Sequence, residues 1–307
     1  MFMRLKSLLK REDVKDLRTE VLLLKIFLKA NKGFSVGLMI LTIFIFFGFV
    51  LPVFSPYDPR NWGMVPPDKP PSLSHPLGTT TTGQDLFWLA TYAIRNSMII
   101  GVIGSAGGLA IGIILGLIAG YKGGITDRLI VLFADTFIVI PVLPLLILIG
   151  SLVKAQLNMP LLGLIIALIT WGMPVRNIRS MVLSLREREF TYTALFSGSS
   201  TMRLIYAEYL PHVAYWILAS FIHRVLIAIG LEVTLAIFGL STLREATLGS
   251  MIYWAMQYQA ILRGIWWWIA TPVFIIILLF ISLYLVSIGI AEYLNPRVRI
   301  QRLQAGR

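Results

Sequence analysis

Apolar residues gather along this chain in long unbroken stretches, and their lengths carry the first inference. A helix that crosses a hydrocarbon layer needs roughly 20 mostly apolar residues at about 1.5 Å each. Six stretches meet that measure, at residues 34–54, 97–120, 129–152, 161–182, 215–240 and 266–290. They predict an all-α, polytopic membrane protein with six transmembrane helices. The first stretch is too long, and starts too late, to be a cleaved signal peptide. Ahead of it, leucines alternate with charges at helical spacing, which predicts an amphipathic helix on the inner membrane face over 1–33.

Composition agrees with that pattern. Hydrophobic residues make up 57% of the chain and charged ones 14%, against about a quarter charged in an ordinary soluble domain. Mean hydropathy is +0.80. The net charge of +12 would point to nucleic acid in a soluble protein. Here the basic residues flank the apolar stretches, which fits membrane lipid as partner and no nucleic acid. Lys and Arg concentrate before residue 34, between the fourth and fifth stretches (Arg186, Arg188, Arg203) and in the tail (Arg297, Arg299, Arg302, Arg307). By the positive-inside rule both termini lie in the cytoplasm. The segments are then an inner amphipathic segment (1–33), a first span (34–54), a proline-rich outer loop (55–96), a five-helix core (97–291) and a basic tail (292–307).

Within the second stretch Gly104, Gly108, Gly112, Gly116 and Gly120 recur every fourth residue. That register puts them on one stripe and lets another helix backbone approach closely in lipid. The inner loop 183–211 has its own local signals. Ser184 with Glu187 has the form of a capping box, and Gly198 that of a left-handed helix stop. Ser199, Ser200 or Thr201 would cap a second short helix, Met202 to Leu210, which Pro211 ends. The product is helix, glycine turn, helix, with Phe190, Leu195 and Phe196 left for a protein partner to cover.

Ionisable groups inside spans are costly and therefore candidates for function. Asp135 in the third stretch, and Arg224 and Glu232 in the fifth, are the ones singled out. Eight residues separate Arg224 from Glu232, about 12 Å along a helix, so no direct pair is expected. Two readings stay open: these groups line a translocation pathway, or they are buried structural links between helices.

Several chemistries are excluded or unsupported. There is no cysteine, so no disulfide, thiolate nucleophile or cysteine metal site exists. His75, His212 and His223 show no metal-ligand spacing. Gly33 to Gly37 has the spacing of a hydrolase nucleophile elbow but heads a membrane helix instead of a strand-to-helix turn. Trp266 to Trp268 predict an interfacial aromatic belt. No Gly-Lys dipeptide is present, so there is no phosphate-cradling P-loop.

The segment EREFTYTALFSGSSTMRLIYAEYLPHV resembles the cytoplasmic coupling loop of ABC importer permeases, and HPLGTTTTGQDL, AGYKGGITDRLIVLFADTFIVIP and LEVTLAIFGLS are similar to segments of the dipeptide/oligopeptide-type members. That family carries an acidic-Ala-Ala triplet ahead of a loop glycine. Here Tyr192, Thr193 and Ala194 occupy the triplet and Gly198 is the glycine, with Glu189 one turn earlier as a substitute acid. The outer segment departs too, with Thr80 for the usual acid and Gln84 for the usual arginine. The resemblance implies an ATPase-docking surface of Glu189, Phe190, Tyr192, Thr193, Ala194, Phe196 and Gly198. It also implies a second homologous permease, two ATP-binding subunits that carry ATP and Mg²⁺, and an extracytoplasmic substrate-binding protein. The chain itself is expected to bind no cofactor and to catalyse no reaction. The solute class implied is di- or oligopeptides, with oligosaccharides as the alternative. An ion-coupled secondary transporter, with Asp135 and Glu232 as its relay, and a membrane scaffold are the readings from other classes.

Overall fold

In hydrocarbon every backbone polar group must find its partner inside the chain, and a helix does this within each segment. The computed structural model describes residues 27–294, and no strand occurs among them. The expected amphipathic helix over 1–33 falls mostly outside the described residues, as does most of the basic tail.

Helix α1 (Lys32–Ile45) is capped by Asn31, whose side chain accepts from the Phe34 amide, and runs on through a π turn and a 3₁₀ turn to Phe54. The central helix, α2 (Leu86–Lys122), is 37 residues long and starts 11 residues before the apolar stretch that announced it, because Asp85 caps it with bonds from the Phe87 and Trp88 amides. Gly123 and Gly124, both at positive φ, turn the chain at once into α3 (Gly124–Val139).

The third and fourth stretches are each broken in two. Helix α3 meets α4 (Val142–Leu152) at 86°, and α5 (Met159–Thr170) meets α6 (Gly172–Arg186) at 50°. The physical cause is proline. Pro141 drives Ile140 out of the helical region, to φ −65° and ψ 127°, and Pro174 deletes a backbone donor in the first turn of α6. Hydropathy averages over such breaks, so the sequence predicts two continuous spans where the chain builds elbows.

Helix α7 (Glu189–Phe196) follows α6 almost directly. The capping box expected at Ser184 and Glu187 is absent: Ser184 lies inside α6, which runs to Arg186, and Arg188 precedes α7 without a side-chain cap. The short helix expected from Met202 to Leu210 is likewise corrected. It merges with the fifth stretch into one helix, α8 (Thr201–Ile237). Pro211 does not stop it because the turns just before, Leu204–Tyr209, are wound as a π helix, which absorbs the donor and the space that a proline removes. Helix α9 (Leu248–Gln257), too short for the length rule, precedes α10 (Trp266–Leu294).

Among the described residues, four helices are thus long and apolar enough to cross a membrane, and up to six spans result if each elbow counts as one. Helix α2 is the axis of the bundle, packed against α5, α6 and α8, while α1 lies along α10. The glycine stripe makes close approaches possible around α2. Gly112 faces Pro174, Gly116 faces Ile178 and Gly120 faces Val182 at separations that leave no room for a β-carbon, and Gly104 faces Ile166 and Ala228 where one would be tight.

Candidate functional site

Two features stand out from this frame: the loop at one end of the bundle and the polar side chains inside it. Helix α7 closes with paired backbone bonds, Gly198 N–H to Leu195 O and Ser199 N–H to Ala194 O, both 3.0 Å. That is the Schellman pattern, and it needs the left-handed φ of +76° that Gly198 adopts. Of the three cap candidates, Ser200 accepts from the Arg203 amide and starts α8. Thr191 anchors the turn from beneath, donating to Leu185 O at 2.8 Å.

The loop residues then divide into two faces. Phe190 stacks on the His212 ring at 5.1 Å and, with Ala194, packs onto a core of Leu204, Tyr209 and Val213. The sequence expectation that Phe190 awaits a partner is corrected by this contact, which lies 22 residues away in the chain. Glu189, Tyr192, Thr193 and Leu195 face outward, and Phe196 is 91% exposed. The outward face is therefore an acid at the helix start followed by three large apolar side chains.

The interior polar groups do not form one site. Glu232 is fully buried where α2, α8 and α9 meet. It accepts from the hydroxyls of Thr247 (2.7 Å), Ser241 (3.2 Å) and Ser97 (3.3 Å). A buried carboxyl needs this many partners to be tolerated. Ser97 also accepts from the Leu248 amide at 3.0 Å, so the cluster pins the start of α9 to α2. Asp135, by contrast, keeps 40% of its side chain exposed, 3.5 Å from Arg176 on α6. Arg224 reaches from α8 to the α5–α6 elbow, where Nη2 donates to Thr170 O (2.5 Å) and Oγ1 (3.0 Å). No ion pair joins Arg224 to Glu232.

Sequence reasoning missed two of these groups. Arg176 and Arg179 lie inside the fourth apolar stretch, and Arg179 forks onto Asp127 at the start of α3, with Nη2 2.6 Å from Oδ2. The signal was present, since two arginines three residues apart inside a span face the same way. Their acidic partners come from another helix and are invisible to spacing.

The proline-rich loop between α1 and α2 is irregular and closed on itself. Arg60 bridges Asp58 (2.8 Å) and Glu245 (3.2 Å), and the guanidinium holds the Asp58 carboxyl below the usual carboxylate range. Arg263 pairs with Asp68, and His75 with the cap residue Asp85. Burial and the nearby Asp85 push the Tyr57 hydroxyl up to about 12. Thr80 and Gln84, the two departures noted in this segment, are both buried and bonded to each other, Gln84 N–H to Thr80 Oγ1 at 3.0 Å. Gln84 also donates to Pro59 O at 2.7 Å. A pocket of about 250 Å³, lined by Arg60, Trp62, Glu245, Trp254 and Trp268, opens between this loop and α9. The aromatic belt is corrected as well: Trp266 faces outward, Trp267 donates to Thr79 O, and Trp268 is buried against Tyr258.

Against known sequences, residues 112–300 match the profile of the binding-protein-dependent transport system inner membrane component. That match covers more than half of the chain and includes α7 with its glycine closure. The chain belongs to this family. Residues 26–71 also match the N-terminal TM domain of oligopeptide transport permease C. The oligopeptide transport system permease protein OppC of Bacillus subtilis (strain 168) is 32% identical over 271 residues, 88% of each chain. The dipeptide transport system permease protein DppC of the same strain is 30% identical, covering 89% of this chain and 84% of the relative. OppC of Mycobacterium tuberculosis (strain ATCC 25618 / H37Rv) is 29% identical over 89% of this chain. The protein is therefore a multi-pass cell-membrane component of a binding-protein-dependent transport system, and the sequence resemblance to importer permeases holds along nearly its whole length.

Proposed function

We propose that this chain is one of two pore-forming permeases of an ATP-driven importer of di- and oligopeptides. The importer comprises a second homologous permease, two ATPase subunits holding ATP and Mg²⁺, and an extracytoplasmic binding protein. Each elbowed pair counts as one span, making six, and both termini lie in the cytoplasm, as the distribution of Lys and Arg favours. The observation that carries the reading is α7: an eight-residue helix, locked by the Gly198 closure, that presents Tyr192, Leu195 and Phe196 to solvent. Apolar side chains of that size on an ordered loop call for a partner, and a permease without a P-loop must take its ATP hydrolysis from one. The relatives named for oligopeptide and dipeptide transport support the choice of solute.

Alternating access follows from the arrangement. Closure of the ATPases pushes α7, which joins α6 to α8, so both spans move together and the pathway between the two permeases opens to one side at a time. Asp135, half exposed on the elbowed spans, is the better candidate to face that pathway, while Glu232 holds the fold. Purification of the chain in mild detergent, with mass spectrometry of what accompanies it, tests the reading. A second permease and P-loop ATPases are expected, and the ligand carried by a co-purified binding protein should be a peptide. A chain that emerges alone and supports ion-gradient-driven uptake overturns the proposal.

A further inference from the structure

Arg224 is a cation inside a span without an acidic partner among the described residues, a costly position that needs a reason. The reason is four residues from a proline. In a continuous helix the N–H of residue 174 would bond to the carbonyl of residue 170, but Pro174 has none. Arg224 Nη2 stands in that place, 2.5 Å from Thr170 O and 3.0 Å from Thr170 Oγ1. The glycine stripe supplies the room: a β-carbon on Gly108 would come within 3.0 Å of Arg224 Nη2 and 3.3 Å of Thr170 Oγ1. Three helices, α2, α5 and α8, thus meet at one carbonyl.

We propose that Arg224 is the positioning residue of the α5–α6 elbow, replacing the donor that Pro174 lacks and tying the elbow to α8. Helix α7 hangs between α6 and α8, so the same bond makes the two arms that carry α7 respond to it as one. This second part rests on the docking role proposed for α7; the elbow itself does not. Replacement of Arg224 leaves the Thr170 carbonyl unpaired and the two arms free to shift independently. A substrate-contacting role would act differently, through the affinity for the transported solute and without regard to residue 174.

A double-mutant cycle separates these cases. Arg224→Met, Pro174→Ala and the double variant are reconstituted in the full complex, and ATP-driven uptake of radiolabelled trialanine is measured. Arg224→Met is expected to lower maximal uptake about tenfold at unchanged KM, as loss of a hydrogen bond from a charged donor implies. In the Pro174→Ala background the same change is expected to be silent, within about threefold, because the alanine N–H supplies the bond. The chain has no cysteine, so cysteines introduced at the exposed residues Leu164 and Ser184 take spin labels and report the elbow angle without reference to transport. Arg224→Met should broaden that distance distribution only when Pro174 is present. An equal loss in both backgrounds, a rise in KM, or an unchanged distribution overturns the proposal. If Arg224→Met prevents assembly, the double variant must restore it, and failure to do so also sinks the idea. Failure of the wild-type complex to import trialanine would count against the functional reading, while the spin labels would still decide the elbow.

Discussion

The proline-rich loop between α1 and α2 and the α7 loop are both connections at an end of the bundle, and they treat their side chains in opposite ways. Between residues 55 and 85 the polar groups are used internally: Asp58, Arg60 and Glu245 form a chain, Asp68 meets Arg263, and His75 meets Asp85. Order there comes from these ion pairs together with backbone bonds across the loop, such as Gly63 N–H to Thr82 O and Thr79 N–H to Lys69 O. The α7 loop gets its order from the backbone, through the Gly198 closure and the Ser200 cap, with Thr191 as its one buried polar anchor. Its large side chains are thereby released, and Phe196 stays 91% exposed. A loop can be rigid without hiding its apolar face, and that combination suits the docking role proposed for α7.

The largest expected effect comes from breaking the open loop. Phe196→Asp should remove about 2–4 kcal/mol of docking energy, as loss of a central apolar anchor does at other interfaces. ATP-coupled uptake should then fall below detection while membrane insertion, read by immunoblot, is unchanged. Gly198→Pro should do the same, because its φ of +76° is closed to proline. Normal uptake by both variants would remove α7 from the coupling path.

Next comes the buried cluster that ties α9 to α2 and α8. Glu232→Ala leaves the hydroxyls of Ser97, Ser241 and Thr247 without their acceptor. It should cost about 3 kcal/mol, seen as a lower unfolding temperature of the detergent-solubilised complex; Glu232→Gln should cost less. An unchanged unfolding temperature with altered peptide uptake would reverse the reading and return Glu232 to the pathway. Asp135→Asn sharpens the contrast. Its ion pair with Arg176 is half exposed, so stability should change by only about 0–1 kcal/mol, and a change in uptake should be the main result.

The smallest effect concerns pH at the closed loop. The Tyr57 hydroxyl is raised to about 12 by burial and by Asp85, so the fold favours its neutral form. That contribution is complete below the ordinary tyrosine value of about 10 and is lost as pH rises through the folded value. Tyr57→Phe should abolish a loss of thermal stability between about pH 10 and 12. An identical alkaline profile for wild type and variant would show that Tyr57 does not contribute it.

Much of this protein was decided within short windows of sequence. Apolar run length set the positions of the spans, four-residue spacing set the glycine stripe of α2, and one glycine after a helical segment set the closure of α7. Each depends on neighbours within a turn or two, where the chain is its own environment. Tertiary structure alone decided the rest. It showed that Phe190 turns inward to His212, that Asp127 and Asp135 answer the two arginines of α6, and that Arg224 serves a carbonyl left open by a proline 50 residues away. It also turned two apparent spans into elbows, because hydropathy records how apolar a stretch is and not whether its backbone bonds are continuous. A partner across the bundle leaves no periodic trace in the sequence, and only packing in three dimensions selects it.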